Sequence, residues 1–191
     1  MTSQDSASTP NDEQLRDDLA QSRRETRAAF ENRALMYAYI YDELAAEIGE
    51  ERATEIMKRA IRRRGVEVGA KYRDAASSGD LAKVACIFCE GSPAGGSLFE
   101  PGVEEEPSGG RLVLRMTGCP LVEAWEAAGY DARYIDHLCE IAAEVDHGTF
   151  EGAGLELVFL ERQPEPGGTR CLLQLTVPDS PDTREAPADQ A

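Results

Sequence analysis

The 191-residue sequence predicts an α+β fold: N-terminal helices, then an antiparallel sheet of about four strands, in the order ααα-ββ-αα-ββ, with helices covering the sheet. Two patterns carry this expectation. Apolar residues recur every three or four positions through the first half, and they alternate in twos around Leu112–Met116 and Cys171–Val177. A third observation narrows it: no glycine-rich phosphate loop follows a strand, so nothing calls for a parallel nucleotide-binding sheet.

From Glu13 to Ile48, the residues Phe30, Ala34, Tyr37, Tyr41, Leu44 and Ile48 fall on one face of a long amphipathic helix. A second helix opens with Glu50 and Glu51, repeats Ala53, Ile56, Met57, Ala60 and Ile61, and runs to about Tyr72. Within it Gly65 and Gly69, four apart, offer a side where another element can approach closely. Ser77-Ser78-Gly79-Asp80 breaks the pattern and supplies an N-cap to a third helix, Leu81 to Cys89. A strand is expected from Leu98 to Val103, a turn at Pro107-Ser108-Gly109-Gly110, and a second strand with Leu112, Leu114 and Met116 on one face. Pro120 starts a short helix through Trp125, closed at Gly129, and a longer one runs from Ala132 to Asp146. Leu155–Glu161 and Cys171–Val177 form the last hairpin. The polar, Pro-rich ends cannot offset their ordering entropy, which predicts disordered tails at 1–12 and 178–191 around one domain at 13–177.

Charge and cysteines restrict the function classes. Lys and Arg number 20 against 36 Asp and Glu, a net charge of −16, which opposes nucleic acid and anionic lipid. The run Arg62-Arg63-Arg64 reads as a solvated helix face, although a small anionic substrate could still find one of these arginines. No apolar run reaches the ~18 residues of a membrane span, and Met1 to Asn11 has neither the basic start nor the apolar core of a signal peptide. Five cysteines, an odd number in an acidic chain, fit reduced thiols in the cytoplasm. No cofactor or resident metal is expected, and the long first helix is a surface through which a homo-oligomer could form.

The densest reactive cluster is Asp136-His137-Leu138-Cys139-Glu140 followed by Asp146-His147-Gly148. Cys139 and Asp146 are seven apart, ~700° of helical rotation, so on one continuous helix they point the same way and can line one pocket. Asp146 would then sit near the helix C-terminus, where the dipole raises carboxylate basicity. The plainer reading, a buried cysteine and a helix-ending Asp, has the same spacing. Cys119 precedes Pro120 at a helix N-terminus, which lowers a thiol pKa, or it simply fills a strand-to-helix corner. Cys171 fits a buried strand position. His137 and His147, ~80° out of alignment, make no evident pair of metal ligands.

Gly118-Cys119-Pro120, the short Trp125 helix with Gly129, Cys139 with Asp146 seven on, and a glycine turn before Cys171 together resemble the L-2-amino-thiazoline-4-carboxylic acid hydrolases, over roughly Asn32 to Val177. The resemblance implies hydrolytic opening of a cyclic thiazoline, with water added at the C=N carbon and the C–S bond broken. It carries Cys139 and Asp146 onto the family's Cys and Asp positions, and Cys119 and Cys171 onto its other recurrent cysteines. The Asp146-His147-Gly148 ending departs from the more apolar residues expected there, which leaves the substrate open.

The leading expectation is therefore a small-molecule hydrolase acting on a cyclic C–N/C–S substrate. Asp146 would activate water or the Cys139 thiol, Cys119 and Cys171 would complete the pocket, with Cys171 against the substrate, and His147 would carry a proton. The alternative is a noncatalytic ligand-binding or thiolate metal-binding domain that uses the same Cys/Asp set.

Overall fold

The computed structural model describes residues 10–178. The helices are α1 (Pro10–Ile48), α2 (Glu50–Gly69), α3 (Arg73–Ser77), α4 (Leu81–Glu90), α5 (Pro120–Ala127), α6 (Ala132–Ala142) and α7 (Glu144–Glu151). The strands are β1 (Pro101–Ser108), β2 (Arg111–Met116), β3 (Glu156–Glu161) and β4 (Cys171–Thr176), in one antiparallel sheet ordered β1-β2-β4-β3. The fold is α+β.

Three boundaries differ from the sequence reading, each for a local reason. The expected N-terminal tail at 1–12 is helical from Pro10: proline suits the first helical position, and Asp12 and Glu13 sit in the first turn, where the helix dipole favours acids. The tails expected at 1–9 and 179–191 lie outside the described residues. The first strand begins at Pro101 rather than Leu98, because Glu100 takes a left-handed conformation (φ 47°) and Leu98 turns into the core. That strand continues through Pro107, tolerated on an edge strand whose register slips between Glu105 and Ser108. Only Gly109 and Gly110, both at positive φ, make the turn.

The third difference moves the site. The long helix expected from Ala132 to Asp146 is two helices, α6 and α7, broken at Ala143. No Pro or Gly marks the break. Its cause is tertiary: α7 lies against the glycine side of α2, a direction that α6 does not share. A Cβ at Gly65 would stand 2.3 Å from the Val145 carbonyl oxygen, one at Gly69 2.3 Å from that of Thr149, and one at Gly148 2.2 Å from that of Arg62. The Thr149 hydroxyl donates to the Val145 carbonyl at 2.7 Å, and Arg62 pairs with both Glu144 (3.0 Å) and Glu151.

Two apolar clusters result. One joins α1 (Phe30, Ala34, Tyr41) and α2 (Met57, Ile61) to α5 and α6, around the fully buried Trp125, whose Nε1 donates to the Ala34 carbonyl at 2.8 Å. The other packs one sheet face (Leu112, Leu114, Leu173, Leu175) against Tyr72, Val84 and Phe150. Leu112 faces Leu175 and Leu114 faces Leu173 across the β2–β4 ladder, which puts them on that one face.

Candidate active site

Between the two clusters lies a cavity of about 490 Å³, the size of a small-molecule site. Its walls include Phe30 and Trp125 from the helical cluster, and Tyr72, Phe150 and Phe159 from the other side. Cys119, Cys139, Cys171 and Asp146 all line it. Four separate elements bring them there: Cys119 caps the N-terminus of α5, Cys139 lies on α6, Asp146 on the first turn of α7, and Cys171 opens β4.

The break at Ala143 changes how these groups relate. Asp146 stands at the start of a helix, where the dipole favours its charge, so the C-terminal effect expected from the sequence is absent. Its carboxyl is nevertheless raised from 3.8 to about 7, because burial in an apolar wall disfavours the anion, partly opposed by the neighbouring His147. Among the described residues no hydrogen-bond donor reaches that carboxyl. The thiols that feel its charge are Cys119 and Cys171, and Tyr72 feels it as well. Cys139 instead interacts with Cys171, Cys119 and Arg162.

Burial pushes all three cavity thiols up, Cys171 to about 11 and Cys139 far beyond the ordinary thiol range. Cys119 is also raised by burial, but the backbone N–H groups of Val122 and Leu121 at the start of α5 work against this and favour its thiolate. It is the only one of the three that receives such support from a helix N-terminus.

His147 is not in the cavity. Adjacent helical residues diverge by ~100°, and its ring lies on the outer side of α7, against Phe159 (centroids 5.6 Å apart), with Nδ1 2.9 Å from Glu151. The expected proton carrier is thus placed away from Asp146's cavity. His137 bonds Thr54 at 3.1 Å and packs on Tyr41.

Of the cavity cations, sequence reasoning weighed only the run that holds Arg64 and missed Arg33, Lys71 and Arg162. Arg33, Arg64, Lys71 and Arg162 line the cavity against a single carboxylate, Asp146. Arg162, with a side chain only 16% exposed, is held by Asp136 at 2.8 Å and Glu165 at 2.9 Å, and its Nη1 is buried without a hydrogen-bond partner. A net charge of −16 hid this cluster of cations, of which Arg162 is paired with Asp136 and Glu165 and Arg64 with Glu67. Arg64 belongs to the run that read as a solvated face, and Arg162 sits at a strand end where no periodicity flags it. Among the described residues, no group of three or more His, Cys, Asp or Glu is placed to hold a metal ion, and no helix is long and apolar enough to cross a membrane.

The family model described as L-2-amino-thiazoline-4-carboxylic acid hydrolase matches residues 27–173. The chain belongs to this family. No curated protein matches it. The matched span begins inside α1 and ends inside β4, so it includes every cysteine and carboxylate that this member of the L-2-amino-thiazoline-4-carboxylic acid hydrolases presents to the cavity.

Proposed function

We propose that the protein hydrolyses a small anionic cyclic substrate of the thiazoline type, with Asp146 as the base that activates water. The observation that carries this is the Asp146 carboxyl itself: unbonded, enclosed by apolar wall, and with a pKa of about 7, it is poised to exchange a proton at neutral pH. Water attacks the C=N carbon while Asp146 takes its proton. The C=N electrons move to the ring nitrogen, which takes that proton from Asp146; as the C–S bond then breaks, the added hydroxyl becomes a carbonyl and Asp146 passes its proton to the leaving sulfur, so one water is consumed and the enzyme is unchanged. The cations around the cavity favour a substrate that carries a carboxylate, with the buried Nη1 of Arg162 as an unused donor.

A second reading has its own support: the α5 N–H groups at Cys119 favour its thiolate, which suits a covalent nucleophile with Asp146 as its base. The Cys119→Ala variant separates the two. Turnover of 2-amino-thiazoline-4-carboxylate and of its uncharged amide is compared for wild type and variant, together with the intact mass of the protein during turnover. With water as nucleophile, Cys119→Ala keeps its rate within about tenfold, while the amide is the poorer substrate. A loss in the ~100-fold to 10,000-fold range typical of a removed catalytic group, with an adduct on wild-type Cys119, would instead establish the covalent route. Absence of turnover with the whole set of cyclic thiazolines and hydantoins would remove the hydrolase reading.

A further inference from the structure

Helix α1 has a second apolar stripe that the domain does not use. Leu15 and Leu19 near one end, and Met36 and Ile40 toward the other, are 66%, 50%, 45% and 43% exposed. They belong to one series spaced 4-3-4-3-4-3-4, completed by Ser22, Thr26, Ala29 and Arg33, which is the seam of a coiled coil over ~38 Å of helix. The buried residues Phe30, Ala34, Ala38 and Tyr41 lie on a different face. Among the described residues from Asn11 to Glu25, only Ala20 is even half-buried. An isolated helix of that length is marginal in water and is normally stabilised by packing.

We infer that this seam is the interface for a second copy of the chain, docked antiparallel. Three features select that occupant. Reversing the helix sets Leu15 and Leu19 against Ile40 and Met36 of the partner subunit, so the apolar ends match themselves. The middle of the seam, Ser22, Thr26 and Ala29, is small and lets the two backbones approach closely. Arg33, the one charge on the seam, then falls opposite the partner's Ser22 and between the partner's Asp18 and Glu25, whereas a parallel pair would set Arg33 against its own copy. Two helices locked over this length bury on the order of 800 Å² per subunit, the size a stable dimer needs. In the single chain the Arg33 guanidinium lies over the Phe30 ring, 4.5 Å from its centroid, and lines the cavity, so pairing at the seam draws this cation away from the cavity.

Analytical ultracentrifugation of the full chain tests this. The expected mass is twice the 20.8 kDa of one chain, and the double variant Leu19→Glu/Met36→Glu weakens the dimer at least 100-fold while its thermal unfolding at a fixed low concentration still shows one cooperative transition. Arg33→Glu alone weakens the dimer about tenfold, and adding Asp18→Arg and Glu25→Arg restores it. A wild-type monomer at 100 µM, or a dimer that survives Leu19→Glu/Met36→Glu, overturns the interface. Strengthening by Arg33→Glu alone overturns the antiparallel arrangement.

Discussion

Asp146→Asn is expected to abolish turnover and at the same time to stabilise the protein at pH 8. The two effects have one origin. The folded state holds the Asp146 carboxyl at about 7 against 3.8 in its ordinary state, so the native protein binds that proton more tightly than the unfolded chain does. Stability from this group is therefore complete below about pH 4 and is lost as pH rises through 7, above which the fold carries a buried charge. The difference corresponds to ~4 kcal/mol at most. A buried amide has its own desolvation cost of ~1–2 kcal/mol, which leaves a net gain of about 2 kcal/mol at pH 8 and none at pH 4. Turnover should fall ~100-fold or more, since Asn has the size of Asp but cannot accept the proton. Wild-type activity should rise with pH through a single ionisation near 7. Denaturant unfolding of both proteins at pH 4 and pH 8, beside the pH–rate profile, checks the sign. A variant less stable than wild type at pH 8 would show that Asp146 is a structural partner rather than a strained base.

Gly148→Ala is expected to be the most damaging single-methyl addition. Its Cβ would meet the Arg62 carbonyl oxygen at 2.2 Å and Gly65 Cα at 3.0 Å, backbone atoms of α2 that no rotamer change can move. Overpacking of this kind costs about 3 kcal/mol, ~6–12 °C of melting temperature for a domain of this size. Gly65→Ala meets the same contact from the other side, at 2.9 Å from Gly148 Cα, and should cost a similar amount, with the double variant costing less than the sum because the helices need separate only once. Pushing α7 away also displaces Asp146, two residues from Gly148, so turnover should fall further than the folded fraction. A thermal melt and a rate measured well below the melting point distinguish these contributions.

Much of this architecture was legible in the residues. The 3.6-residue recurrence of Phe30, Ala34, Tyr37 and Tyr41 gave the domain-facing side of α1, and the alternation of Leu112, Leu114 and Met116 gave the inner face of β2. Gly65 and Gly69 marked a close approach, which α7 makes. The break between α6 and α7 was not legible, because the signal lies in α2: local propensity at Ala142, Ala143 and Glu144 favours a continuous helix, and packing overrides it. For that reason the sequence put Cys139 and Asp146 in the cavity by the wrong geometry. They line it from two helices, and Asp146's charge is felt by Cys119 and Cys171. His147 was misplaced because a residue adjacent to Asp146 on a helix points ~100° away from it, while the cavity cations come from three stretches, Arg33, Arg64 with Lys71, and Arg162.

Trp125 is the only tryptophan of the chain, has no solvent exposure and stands in the cavity wall. The protein therefore contains a single built-in fluorophore at its site. In the native state its emission should lie toward the blue, as for an indole in an apolar setting, and shift to the red when the Nε1 bond to Ala34 gives way to water on unfolding. A ligand that enters the cavity comes within reach of the ring, so titration of emission intensity reads occupancy of the site without any turnover, including for compounds bound by the catalytically dead Asp146→Asn protein.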